Sequence, residues 1–216
     1  MGFYPRQLAV IETTDLTVTD DLIVGDDAAI TGLLTVGETL AVTGVASLPG
    51  NVAMTPGTGI STGSGTLHQA SVVRIGNRIE TTIDIDLSGL NSSAAGDIIG
   101  VNTAANSHFG RVLEAVNGVI FAGSMTCLET PTTGEPDIDV YTSTAATGAE
   151  DAPIGSEAGQ AAMLDAAADW TIGTTKMFTA MPAANAYLYL VGSGGGTSAT
   201  YNAGKFQIKL YGHVAA

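Results

Sequence analysis

The sequence predicts an all-β protein: a short hexapeptide-repeat β-prism or β-helix, then a jelly-roll-like antiparallel β-sandwich with one short helix. Three observations predict it. Residues 16–54 repeat with a period of six. From residue 67 onward, apolar and polar residues alternate in short runs punctuated by Gly, Asn and Pro. A single stretch, 156–168, is rich in helix formers.

Read in sixes, residues 16–54 give LTVTDD, LIVGDD, AAITGL, LTVGET, LAVTGV, ASLPGN and VAM. The first and third positions are always apolar: Leu16/Val18, Leu22/Val24, Ala28/Ile30, Leu34/Val36, Leu40/Val42, Ala46/Leu48 and Val52/Met54. A chain that is 45% hydrophobic would place about six apolar residues at those fourteen positions by chance. Apolar–x–apolar sends two side chains to one face of a short strand, and the Thr, Gly, Asp and Pro between the pairs turn the chain. A helix needs spacings of three and four, which this run lacks.

A single chain winding a triangular solenoid spends three hexads on each coil, so this run makes only about two, open at both ends. Three chains about a common axis close the triangle with one hexad each. The repeat therefore predicts a homotrimer whose core is Leu16, Val18, Leu22, Val24, Ile30, Leu34, Val36, Leu40, Val42 and Leu48.

Ahead of the repeat, residues 1–15 read as an N-terminal arm. Phe3, Tyr4 and Arg6 flank Pro5, and Leu8, Val10 and Ile11 are too apolar for a free tail. After it, residues 55–66 (TPGTGISTGSGT) read as a Gly/Ser/Thr linker. Within them, Gly59-Ile60-Ser61-Thr62-Gly63 matches the nucleophile-elbow pattern of hydrolases, which requires a strand before it and a helix after it. Low-complexity flanks argue against that reading.

The remaining domain, 67–216, reads as strands. Residues 67–75 and 78–87 form a hairpin across Gly76-Asn77, with Ile79, Ile83, Ile85 and Leu87 on one face. Further strands are expected at 97–101, 108–115, 118–129, 136–142, 170–179, 186–192 and 204–213, with Asn117-Gly118 as a second hairpin turn. The run 118–129 is apolar on both faces and is expected to be central. Ser156 caps the expected helix 156–168.

Composition excludes several roles. The net charge is −14, with seven Lys and Arg in all and no lysine before Lys176. Such a chain cannot neutralise a phosphate backbone or be drawn to an anionic membrane. No stretch is long and apolar enough to span a bilayer, and the N-terminus has no signal-peptide core. Cys127, the single cysteine, lies in an apolar run and reads as a buried small hydrophobe. The expectation is a soluble protein made in a reducing cytoplasm.

Few constellations carry chemistry. Asp20-Asp21 and Asp26-Asp27 recur one hexad apart and would stack as an acidic ladder, able to take calcium or magnesium; as solvated turn residues they need no ion. Asp84/Asp86 and Asp137/Asp139 are D-x-D pairs on strands, each with both carboxylates on one face. Paired carboxylates serve glycoside hydrolysis only when held about 5–10 Å apart, and half-exposed strands explain these without catalysis. His68, His108 and His213 stand in no metal-ligand spacing, and no phosphate-binding or dinucleotide fingerprint occurs. Tyr187, Tyr189, Tyr201 and Tyr211 are aromatics able to contact a sugar or a protein, or to pack. The reading is of a non-enzyme without a cofactor.

Several segments carry a resemblance: Leu87-Ser88-Gly89-Leu90-Asn91-Ser92, Gly96-Asp97-Ile98-Ile99-Gly100, Met125-Thr126-Cys127-Leu128-Glu129, Pro136-Asp137-Ile138-Asp139-Val140 and Gly204 through Gly212. Over roughly 67–212 the chain resembles tailed-bacteriophage virion surface proteins, namely trimeric capsid decoration (cement) proteins and the distal parts of tail fibres and tailspikes. The resemblance implies a homotrimer at capsid threefold positions on the virion surface, made in the host bacterial cytoplasm. The N-terminal part would touch the phage major capsid protein and the sandwich would project outward. Seven hexads make a short shaft for a fibre, which favours decoration over the alternative, a receptor-binding tip for a host glycan or protein.

Overall fold

The clearest alternation in the sequence becomes a hairpin of His68–Ile75 (β1) and Arg78–Asp86 (β2), paired from His68↔Ile85 to Ile75↔Arg78. Gly76, the first central residue of its two-residue turn, has φ +62°, which a residue with a side chain rarely adopts there. The computed structural model describes residues 54–61, 68–166, 168–194 and 198–214, within a unit running from Leu48 to Ala216. The arm with Phe3, Tyr4 and Arg6, the hexad pairs from Leu16 to Leu48, and Asp20, Asp21, Asp26 and Asp27 lie outside the described residues.

The described residues are predominantly β-structure. The other strands are Asn91–Ser92 (β3), Gly110–Arg111 (β4), Val119–Thr132 (β5), Ile138–Ser143 (β6), Ala161–Leu164 (β7), Thr175–Met177 (β8), Tyr187–Gly192 (β9), Ala199–Thr200 (β10) and Ala203–His213 (β11). Two one-turn helices, Thr58–Ser61 (α1) and Glu114–Asn117 (α2), and a 3-10 turn at Ile154–Ser156 complete them. All named strand pairs are antiparallel: a five-stranded sheet β1-β2-β11-β5-β8, a four-stranded sheet β4-β9-β6-β7, and the short pair β10-β3.

The two larger sheets share one core, as layers of a sandwich do. Ile83 and Ile85 of β2, Ile208 of β11 and Met125 of β5 join Val140 of β6 and Leu190 of β9 in a single apolar cluster. Trp170 meets Phe206 edge to face, with centroids 5.3 Å apart, and its Nε1 donates to the Ile138 carbonyl at 2.8 Å. A second cluster of Ile98, Ile154, Tyr189 and Val191 packs on residues of alternate parity along β9. The four-stranded sheet is thus covered on both faces.

Several expectations require correction. Residues 156–168 are not a helix: the 3-10 turn ends at Ser156, Gly159 takes φ +62°, and β7 pairs with β6 from Val140↔Leu164 to Thr142↔Ala161. Alanine's helix preference is weak per residue, and sheet pairing with burial of Met163 and Leu164 outweighs it. Asn117-Gly118 is not a hairpin turn but the end of α2, where Gly118 turns the chain at φ +71° into β5. The strands expected at 97–101, 108–115 and 170–179 shrink to isolated bridges, β4 and β8.

The expected strand 118–129 is paired on both sides as β5, yet its second face is open. Phe121 and Leu128 fall at irregularities in the β5–β11 register and stay exposed. Cys127 is buried, as expected. Residues 55–61 of the expected linker pack into the domain. Gly57 N donates to His108 O at 2.8 Å, Gly59 N to Asn106 O at 3.2 Å, and Ile60 is fully buried.

Candidate functional site

A hollow lies where residues 54–56 pass β4. Met54 packs against Gly110, whose missing side chain makes the approach possible: a Cβ there would stand 2.9 Å from the Met54 thioether sulfur. Beside it opens a cavity of about 490 Å³ lined by Met54, Pro56, His108, Arg111, Leu113 and Tyr187. A second hollow of about 330 Å³ shares Arg111 and Tyr187 and continues along Thr142, Ser143 and Thr144.

Strand pairing sets the wall between the hollows, because Arg111 of β4 stands opposite Tyr187 of β9. The guanidinium carbon lies 5.3 Å from the Tyr187 ring centroid, within cation–π range. Arg111 also donates to Asn185, from Nη2 to Oδ1 at 3.0 Å and from Nε to the backbone carbonyl at 3.4 Å. The His108 ring lies 4.8 Å from that of Tyr187 at a tilt of 57°.

Burial pulls His108 down to about 4, helped by the charge that neighbouring His68 would carry, so the imidazole is neutral at physiological pH. Its Nδ1 is buried and meets no hydrogen-bond partner among the described residues. Burial also lowers His68, whose Nε2 bonds the Phe109 carbonyl at 2.7 Å.

The sequence-selected carboxylates divide between the sheets. Asp84 and Asp86 stand on the outer face of the five-stranded sheet. There Asp84 Oδ1 accepts from Gln207 Nε2 at 3.0 Å, and Asp86 faces Lys205 at 3.8 Å. Asp137 and Asp139 are buried beside Glu135 in and before β6. The structure therefore does not bring the two pairs to one sheet.

Burial raises Asp137, with further repulsion from Asp139 and relief from Lys176. It raises Asp139 too, against the Ala166 N–H that donates to Oδ1 at 2.6 Å. Lys176 spans this region, 4.8 Å from the Trp170 centroid and bonded to the Ala166 carbonyl. Asp137 Oδ1 meets no partner among the described residues, where no group of three or more His, Cys, Asp or Glu is placed to hold a metal. The elbow-like motif begins inside α1, with no strand at residues 54–57 before it.

Of the four tyrosines, two are core. Tyr201 donates from its hydroxyl to Glu135 O at 2.7 Å, and burial raises it far above its ordinary range. Tyr189 is pushed up to about 12 by burial and donates to Ala145 O at 2.8 Å. Tyr187 lines both hollows, and Tyr211 lies half-buried on β11. Arg111 escaped the sequence analysis altogether. Its only signal there was scarcity, as one of seven basic residues in the chain. His213 stacks on exposed Phe121 with centroids 6.4 Å apart.

The chain matches no protein-family model, no curated protein and no solved structure.

Proposed function

We propose that this protein is a structural component of a bacteriophage virion, a homotrimeric decoration protein that binds across major capsid protein subunits and stabilises the head. The observation that supports this reading is the outer face of the five-stranded sheet. Val73 and Ile75 of β1, Val119, Phe121 and Leu128 of β5, and Met177 of β8 are all exposed there. Register sets three of them in two rows across the polar outer faces of β2 and β11: Val73 leads through Glu80 and Tyr211 to Ala122, and Ile75 through Arg78 and His213 to Val119. Val119 and Phe121 stand close together at the start of β5, and apolar side chains grouped on an exposed face are a mark of protein contact.

In this reading the hexad run forms a trimeric β-prism, the described strands form the jelly-roll layer, and Phe3, Tyr4 and Arg6 grip the capsid. Binding to the assembled shell alone stabilises it by mass action, and three linked arms engage at high effective concentration.

The test has three arms. Sedimentation of the full chain should report a trimer; a stable folded monomer at micromolar concentration would remove the basis of the reading. Deleting residues 1–15 should leave the trimer intact and abolish attachment to capsids, whereas normal attachment would refute the arm. In purified virions the copy number should scale with that of the major capsid protein; a few dozen copies or fewer assign the chain to a tail-fibre tip.

A further inference from the structure

We propose that the two hollows flanking Arg111 form one cleft that binds an acidic oligosaccharide, with Arg111 receiving a sugar carboxylate. This holds whichever part of a virion, or of any other assembly, the chain belongs to.

The charge balance makes Arg111 conspicuous. The chain carries seven basic residues against twenty-one acidic ones, and the ion pairs among the described residues engage only Lys205 and Lys209. Arg111 is exposed and pairs with no described carboxylate, yet it is held in place by two bonds to Asn185 and by the face of Tyr187. A guanidinium so fixed loses little freedom on binding, and its fork matches a carboxylate through two parallel N–H donors. An acidic surround repels anions, so binding here depends on a carboxylate seated directly on Arg111 and not on the ligand's total charge.

The lining selects for sugar rings. Tyr187 is half-buried beside Met54, Pro56 and Leu113, an apolar floor suited to the C–H faces of a pyranose. In the second hollow the Thr142 hydroxyl donates to Ala161 O, and the Ser143 and Thr144 hydroxyls donate to Ala158 O. Of these only Thr144 is exposed, and with its proton committed its oxygen is left as an acceptor for a ligand hydroxyl; Thr142 and Ser143 are buried, and Ser143 Oγ already accepts from the Ala145 N–H. An extended peptide is the poorer fit. It would need a strand edge to pair with, but β4 is two residues long and Met54 packs over Gly110.

The test titrates the full chain with oligogalacturonate and with the fully methyl-esterified oligomer, following the ring signals of Tyr187 and His108 by NMR. The acid form should bind and shift both rings, and esterification should weaken binding at least tenfold. Arg111→Gln, at an exposed position, should retain the circular dichroism of the parent and lose the acid form's advantage; Arg111→Lys should recover only part of it. Equal binding of acid and ester, or no binding of either at about 10 mM, would overturn the proposal. So would binding of the acid form that Arg111→Gln leaves unchanged, since the ligand then sits elsewhere. An acidic peptide that binds with the same Arg111 dependence while the saccharides do not would overturn it in favour of a protein partner.

Discussion

Along β2 the burial alternates, with Ile79, Thr81, Ile83 and Ile85 inside and Glu80, Thr82 and Asp84 half-exposed. Along β9 five consecutive residues, Leu188 to Gly192, are buried. The five-stranded sheet turns one face to the core and leaves the other open. The four-stranded sheet carries a second apolar cluster on its back. A sheet covered once is written as alternation, and a sheet covered twice as an unbroken apolar run. The open sheet can spend its outer face on partners, while the covered one contributes a cleft only at its end, where β4 stops after two residues.

The sharpest way to break this contrast is to truncate one residue in each sheet. Leu190→Ala should cost about 2–5 kcal/mol by urea unfolding, since its side chain is fully buried in the shared core. Thr82→Ala on the open face should stay within about 0.5 kcal/mol. Comparable costs at the two sites would erase the distinction.

A smaller effect is expected where β5 begins. Gly118→Ala combines φ +71° with a Cβ 2.4 Å from the His213 carbonyl, and should cost about 1–3 kcal/mol, read as a fall in Tm.

Two buried titratable groups beside the four-stranded sheet should respond to pH with opposite signs. Asp137 is raised, so the folded chain binds its proton more tightly than the unfolded chain does. Its charge is destabilising above the folded pKa, and that cost fades as pH falls through it. Asp137→Asn should therefore raise the Tm at pH 7, with a gain that shrinks on acidification. His108 is lowered, so below pH 6.5 the unfolded chain takes up a proton that the folded chain refuses until about 4. Its contribution is complete above that window and lost progressively within it; His108→Gln should flatten the acid limb of a Tm–pH curve.

The smallest effect on folding is expected on the open face itself. Phe121→Ser, at a residue 55% exposed, should change stability by less than about 0.5 kcal/mol and, under the proposed virion role, weaken capsid attachment. Loss of stability with unchanged attachment would mean that the face is structural.

The hairpin β1–β2, the strands β6, β9 and β11, and the burial of Cys127 were legible in the sequence, because each rests on local alternation or on a run of apolar residues. The helix expected at 156–168 failed because its evidence was alanine content, and pairing with β6 decides that segment. Phe121 and Leu128 read as core because they are apolar, yet register irregularities opposite β11 leave them outside. The candidate cleft was least legible. Tyr187 drew notice as an aromatic and Met54 as the last apolar position of the six-residue repeat, but Arg111 and Asn185 stand far apart in the chain and carry no motif.

By itself the sequence determined the all-β character, the six-residue period of its first part, the acidic balance and the alternating strands, since each follows from the order of neighbouring residues. Tertiary structure alone decided that one sheet is covered twice and the other once. It alone set Arg111 against Tyr187 and trapped Asp137 and His108 away from water. Those outcomes depend on which strand lies beside which, and pairing across some seventy-six residues, as between Arg111 and Tyr187, leaves no periodic trace in the chain.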